Sequence, residues 1–131
     1  MATNYVFPKG MEAVAGALNL LTADIKMILV DEAVHPEDNG DVYLSDITGG
    51  AIIATSGNLA GKTVTDGAFK CSTTNIAGVT GATVEVVYIY HDTGTPSTSV
   101  LLSRNVCAFT PNGSGVNVNC PAAGWFILNQ P

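Results

Sequence analysis

From residue 47 onward, branched and aromatic residues come in short runs, and clusters of Gly, Asn, Thr or Ser close each run. The runs lie at residues 51–55, 62–65, 68–73, 83–90, 99–109, 116–120 and 125–128. Short extended runs punctuated by turn residues at this spacing leave two solutions, stacked antiparallel sheets or a closed barrel. An earlier run at residues 25–30 (IKMILV) has the same character, because it is shorter than an ordinary helix and rich in β-branched residues. The expectation is an all-β chain: an antiparallel β-sandwich or barrel-like domain of seven to eight short strands.

Burial can be read from two of these runs. In residues 84–90 (VEVVYIY) both alternating faces are apolar apart from Glu85, so the strand is central, or its outer face meets a helix or another subunit. Residues 116–120 (VNVNC) alternate cleanly, with one core face and one wet face. Between strands, residues 91–96 (HDTGTP) carry the turn chemistry of a hairpin connection.

The N-terminal end is different. Pro8 biases Phe7 away from helix, and Gly10 punctuates the chain. Residues 1–10 therefore read as an extended arm ahead of a single β-rich domain at residues 11–131, with Tyr5, Val6 and Phe7 held against the parent domain or a neighbouring subunit and so candidate partner contacts. Met11, Val14, Ala15, Leu18 and Leu21 share one helical face, which predicts one short amphipathic helix over residues 11–21. Residues 13–23, preceded by Lys9, imitate an export signal, but Glu12 and Asn19 interrupt it and no signal peptide is expected.

Charge narrows the partners. Charged residues make up 12% of the chain, about half the usual share, while apolar residues reach 47% and the mean hydropathy is +0.31. Such a surface suits a protein packed against neighbours. The net charge is −6, and Lys9, Lys26, Lys62, Lys70 and Arg104 are scattered. Neither nucleic acid nor an anionic membrane surface is an expected partner, since both need clustered bases. No apolar run is long enough for a bilayer-spanning helix.

The acids are clustered: Asp31, Glu32, Glu37, Asp38, Asp41 and Asp46 crowd the segment after the first strand, where Pro36 and Asn39-Gly40 mark a long loop or wide hairpin connection. A metal site could use His35 with Glu37, Asp38 and Asp41, but zinc wants more His or Cys, and Val42 stands where a calcium loop wants Gly. No metal or cofactor is expected. The favoured reading is a solvated acidic loop, with Glu37, Asp38 and Asp41 as candidate contacts to basic side chains of a partner.

Catalytic motifs reduce to near misses. Residues 57–63 (GNLAGKT) resemble a phosphate-binding loop but have the wrong glycine spacing and lead into a strand. Residues 113–115 (GSG) lack the spacing of a nucleophile elbow, and neither His35 nor His91 has a serine or cysteine partner in sequence. The three cysteines, Cys71, Cys107 and Cys120, match no zinc or redox spacing; reduced thiols, or a single bridge, are expected. An enzyme is the least favoured class.

Four stretches carry a family resemblance: residues 17–31 (ALNLLTADIKMILVD), 43–47 (YLSDI), 58–65 (NLAGKTVT) and 88–94 (YIYHDTG). Their order, covering most of residues 17–110, resembles small virion structural proteins of tailed bacteriophages, of the head decoration or capsid cement type. Thr80-Gly81 stands where the family pattern carries a Trp. The resemblance implies a non-catalytic protein bound outside the major capsid protein lattice, stabilising the head as a homo-oligomer, with a trimer suited to symmetric lattice points. It further implies location on the capsid surface of the virion after synthesis in the host bacterial cytoplasm. The alternatives are a tail, neck or fibre-base structural protein, or a carbohydrate-binding or adhesive β-sandwich module stacking sugars on Trp125, Tyr43 and Tyr90.

Overall fold

The computed structural model describes residues 5–16, 18–38 and 40–127. Residues 1–4 of the expected arm, Ala17 of the expected helix, Asn39 of the expected turn and residue 128 of the last expected strand lie outside them. The main layer is an antiparallel sheet of five strands in the order β1 (Tyr5–Val6), β8 (Leu101–Phe109), β7 (Val84–His91), β2 (Ile25–Val30), β3 (Ile52–Thr55). Two smaller sheets form the second layer: β10 (Phe126–Ile127), β5 (Ala68–Lys70) and β4 (Thr63–Thr65) in one, β6 (Thr74–Ile76) and β9 (Val116–Val118) in the other. The fold is therefore all-β and sandwich-like. Of the two expected closures the barrel does not form, because every sheet keeps two open edges.

The run at residues 84–90 is indeed central, with β8 on one side and β2 on the other. One face of the main sheet presents Met27, Leu29, Val87, Ile89 and Leu102 to Phe69, Trp125, Ile76 and Val118 of the second layer. The Phe69 and Phe126 rings stack there with centroids 5.1 Å apart. The other face presents Ile28, Val30, Val86, Tyr88, Tyr90 and Leu101 to Phe7, Ile47 and Ala51. Each large side chain so buried contributes about 1.5–3 kcal/mol. Two bulges interrupt strict alternation: the β7–β8 register shifts between Val84 and Val86 and again between Ile89 and Tyr90. Both shifts place the extra residue on β8, and the second leaves the adjacent Leu102 and Ser103 on the face of Ile89 while Leu101 joins Tyr90 on the other.

The helix α1 occupies Pro8–Gly16, earlier at both ends than the apolar spacing indicates. It starts at Pro8 because proline is tolerated in the first turn, where its missing N–H is not needed. It stops early because Asn19 makes a local turn, its side chain accepting the Leu21 N–H at 3.0 Å and its carbonyl the Ala23 N–H at 2.9 Å. Leu20 thus reaches the core from irregular chain, while Leu21 is left half exposed.

Gly10 sits inside the helix and does not end a segment. A Cβ there would lie 2.1 Å from the Leu101 carbonyl oxygen and 2.9 Å from Leu102 Cα, so glycine is what lets the helix backbone rest on β8. Gly10→Ala raises helix propensity yet is expected to destabilise the fold by about 1–3 kcal/mol, because β8 is held between β1 and β7 and cannot retreat. Urea unfolding of the two proteins measures this; an unchanged or raised midpoint would mean that helix and strand can separate freely.

Candidate functional site

The residues singled out by sequence converge on the face of the main sheet opposite the second layer. The acidic segment between β2 and β3 forms a strap across that face, and local hydrogen bonds fix its path. Asp31 starts it, its N–H donating to Ala51 O at 2.8 Å and its carboxylate accepting the Ala33 N–H at 2.9 Å. Further on, Leu101 N–H donates to Val42 O at 2.9 Å and Leu44 N–H to Ser99 O at 2.8 Å, stitching the strap to the start of β8. A 3₁₀ turn at Leu44–Asp46 follows, and the Asp46 carboxylate folds back to accept the Val42 and Tyr43 N–H groups at 2.8 and 3.0 Å.

Two internal polar contacts anchor the strap, one on His35 and one on Arg104. His35 and Asp41 are both buried, with Nε2 2.6 Å from Oδ2. The Thr48 N–H donates to His35 Nδ1 at 3.2 Å, which places the imidazole proton on Nε2, pointing at Asp41. Burial pushes the Asp41 carboxyl above the usual aspartate value, and His35 opposes that rise. The second anchor is Arg104, whose side chain is 0% exposed. Its guanidinium bonds the Glu32 carboxylate through Nη2 and approaches Glu37 through Nη1 at 3.5 Å. The same group lies 5.9 Å from the centroid of the Tyr88 ring, a cation over an aromatic face. Burial works against the arginine charge, but the Tyr88 hydroxyl and Glu32 outweigh it and leave the guanidinium more basic than usual.

The arm reaches the same place. Tyr5 and Val6 pair with Arg104 and Ser103 as the edge strand β1, and Phe7 is fully buried with its ring stacked on Tyr88 at 5.8 Å. Of the expected partner contacts, Phe7 and Asp41 are therefore buried within the domain, and Glu37 is turned toward Arg104. Val6 is half buried and packs against the core. Asp38 is exposed, its carboxylate accepting the Gly40 N–H at 2.8 Å. Of the six acids of the segment, Glu37, Asp38 and Asp46 are exposed while Asp31, Glu32 and Asp41 are buried or half buried, so the loop is solvated along part of its length and turned inward along the rest. Sequence reasoning missed Arg104, which it grouped with the scattered bases. The available signal was that this single arginine of the chain sits within a run otherwise apolar or small (VLLSRNV), where a charge must find partners.

Titration follows from these contacts. Asp46 is held below the usual aspartate value by the Tyr43 and Val42 N–H donors, and Asp92 by the Lys26 ammonium at 2.6 Å together with the Gly94 N–H. A carboxyl with a lowered folded pKa stabilises the fold fully above its unfolded value, and that contribution is lost as pH falls through the folded one. Asp41 and Glu85, raised chiefly by burial, run oppositely: their charged forms weigh against the fold at neutral pH, and acidification relieves this. Asp46→Asn keeps an acceptor oxygen and loses the charge. It is expected to lower stability at neutral pH by less than ~1 kcal/mol, given the solvent exposure of the site, with the gap closing in acid, below the usual aspartate value. Denaturant midpoints at both pH values measure the gap; one that does not change with pH would assign Asp46 a purely steric role.

The arrangement holds a surface strap rigid, and its ionisable groups face one another. A groove of about 390 Å³ beside β8 and β9 carries Cys107 as its titratable side chain. Among the described residues no group of three or more His, Cys, Asp or Glu is gathered closely enough to hold a metal ion, and no helix is long and apolar enough to cross a membrane. Trp125 and Tyr90 are buried and Tyr43 alone of the expected aromatic platform is exposed, so the sugar-stacking surface required by the carbohydrate-binding alternative is not formed. No protein-family model matches the chain, and no curated protein matches its sequence.

Proposed function

We propose that this chain is a structural protein of a tailed-bacteriophage virion, bound as a homo-oligomer to the outside of the major capsid protein lattice, where it stabilises the head. The observation that carries the reading is the inward use of polarity. Arg104, Glu32, Glu37, His35 and Asp41 are joined within the domain, while Leu21, Val34, Tyr43, Val64 and Val106 are exposed. A rigid body with few free charges and scattered outward apolar groups suits adhesion to a repeated protein surface. The resemblance carried by residues 17–31, 43–47, 58–65 and 88–94 points the same way.

On this reading the contact surface is the outer side of the strap, where Val34, Asp38 and Tyr43 are exposed. The arm is a poor candidate for the contact, because residues 5–7 complete the domain itself. Stabilisation follows by linkage: a protein that binds only the assembled shell shifts the equilibrium away from disassembly. The experiment is quantitative mass spectrometry of purified particles of the phage whose genome encodes this chain. A copy number comparable with that of the major shell protein is expected. A handful of copies would move the protein to the tail or neck, and its absence from the particle would overturn the reading.

A further inference from the structure

We propose that Cys71 and Cys120 are a disulfide-forming pair that staples the outer layer of the sandwich under oxidising conditions, with Cys107 left as a free thiol. The argument starts from register. β6 and β9 pair antiparallel with Thr74 opposite Val118, and one step further Thr73 and Asn119 still face each other, with Thr73 Oγ1 donating to Asn119 Oδ1 at 3.0 Å. Strict continuation would set Ser72 opposite Cys120. Instead the Ser72 N–H donates to Ala60 O at 2.9 Å, Ser72 is exposed, and Cys71 takes the inward position.

Cys71 and Cys120 therefore both pack against the inner core at half burial. The two thiols are near enough that, beyond burial, charge on Cys120 pushes the Cys71 thiol up; Cys71 also accepts the Trp125 Nε1–H at 3.3 Å, and Cys120 donates to Pro121 O at 3.4 Å. Cys71 lies one residue from the position that the β6–β9 register sets opposite Cys120, and a disulfide needs Cα atoms no more than about 7 Å apart. Cys107 belongs to the other layer, on β8, and burial alone acts on its thiol. Burial also pushes the Cys71 thiol up, so exchange is slow near neutrality and faster in mild alkali.

The oxidant is a small-molecule disulfide such as oxidised glutathione. One protein thiolate attacks it, forming a mixed disulfide and expelling one glutathione thiolate. The second protein thiolate then attacks the protein sulfur of that mixed disulfide and expels the other glutathione. The protein gives up two protons and two electrons, and one oxidised glutathione becomes two reduced ones. The inference holds whatever surface the protein binds.

The test uses the full chain, folded, incubated with oxidised glutathione at about pH 8.5, alkylated and mapped without reduction. The expected map has a Cys71–Cys120 cross-linked peptide and alkylated Cys107. The bridged protein should melt about 10–15 °C above its reduced form, as expected for closing a loop of this length in a chain of this size. Cys107→Ala should leave the cross-link unchanged. A bridge that includes Cys107, cross-links only between chains, three thiols that all remain alkylatable, or a bridged form that melts no higher than the reduced one would each overturn the proposal.

Discussion

Arg104→Ala is expected to lower stability by about 3–5 kcal/mol, the largest effect of any single surface-to-core charge in this chain. The guanidinium is wholly enclosed, with Glu32 and Glu37 on its outer side and the Tyr88 ring beneath it. Removing it leaves two partly buried carboxylates without their shared cation and opens a void above Tyr88, so the desolvation of Glu32 is no longer compensated. Arg104→Lys should recover only part of the loss, because one ammonium cannot serve two carboxylates in the planar geometry of a fork. Arg104→Met is the informative contrast. If the ion pairs merely break even against packing, Met, which fills the space, will cost much less than Ala, and a double variant neutralising Glu32 as well will cost less still. Chemical denaturation of the four proteins decides this. A loss below about 1 kcal/mol for Arg104→Ala would mean that the strap holds without its central cation.

Phe7→Ala should cost a similar amount, about 3–5 kcal/mol, typical of a large ring removed from a closed site. Phe7 is fully buried, stacks on Tyr88 and lies among Ile28, Val30 and Leu101, and its N–H donates to Leu102 O at 3.0 Å. The effect should extend beyond the ring. Loss of this plug loosens β1 from β8 and frees α1, which rests on the same strand, so amide exchange across residues 101–104 should rise together with the fall in midpoint. Phe7→Leu should retain more than half of the stability at stake. A ring removal that leaves both midpoint and exchange unchanged would mean that the arm is dispensable to the domain. Truncation of residues 1–10 would consequently unfold or weaken the domain, and its effect on binding to any partner would report folding.

The sheet strands were legible wherever an apolar run was long. Residues 25–30 and 84–90 announce themselves because both faces of each strand are buried, and residues 91–96 do so through turn chemistry. Strand β6 was hidden, since Thr-Asn-Ile offers one apolar side chain and owes its extension to pairing with β9. The helix was visible as a helix, but its ends depend on Pro8, Gly10 and Asn19 acting against β8, which no periodicity encodes. In the candidate site the acidic cluster was plain, and its direction was not. Glu32 and Glu37 lie 72 and 67 residues from Arg104, and a charge pattern alone does not say whether an acid faces water or a cation brought from the far end of the chain. The single arginine within an apolar run was the clue that could have turned the reading inward.

The pairing of Tyr5 with Arg104 has a consequence for synthesis. The second residue of each pair leaves the ribosome about a hundred residues after the first, which at ordinary translation speed is a wait of roughly 5–20 seconds. During that time the N-terminal segment has no strand to join, and for most of it the Phe7 ring has no Tyr88 to stack on. The main sheet can therefore be completed only when most of the polypeptide has been made, and whatever shields the nascent apolar segments until then must come from outside the chain.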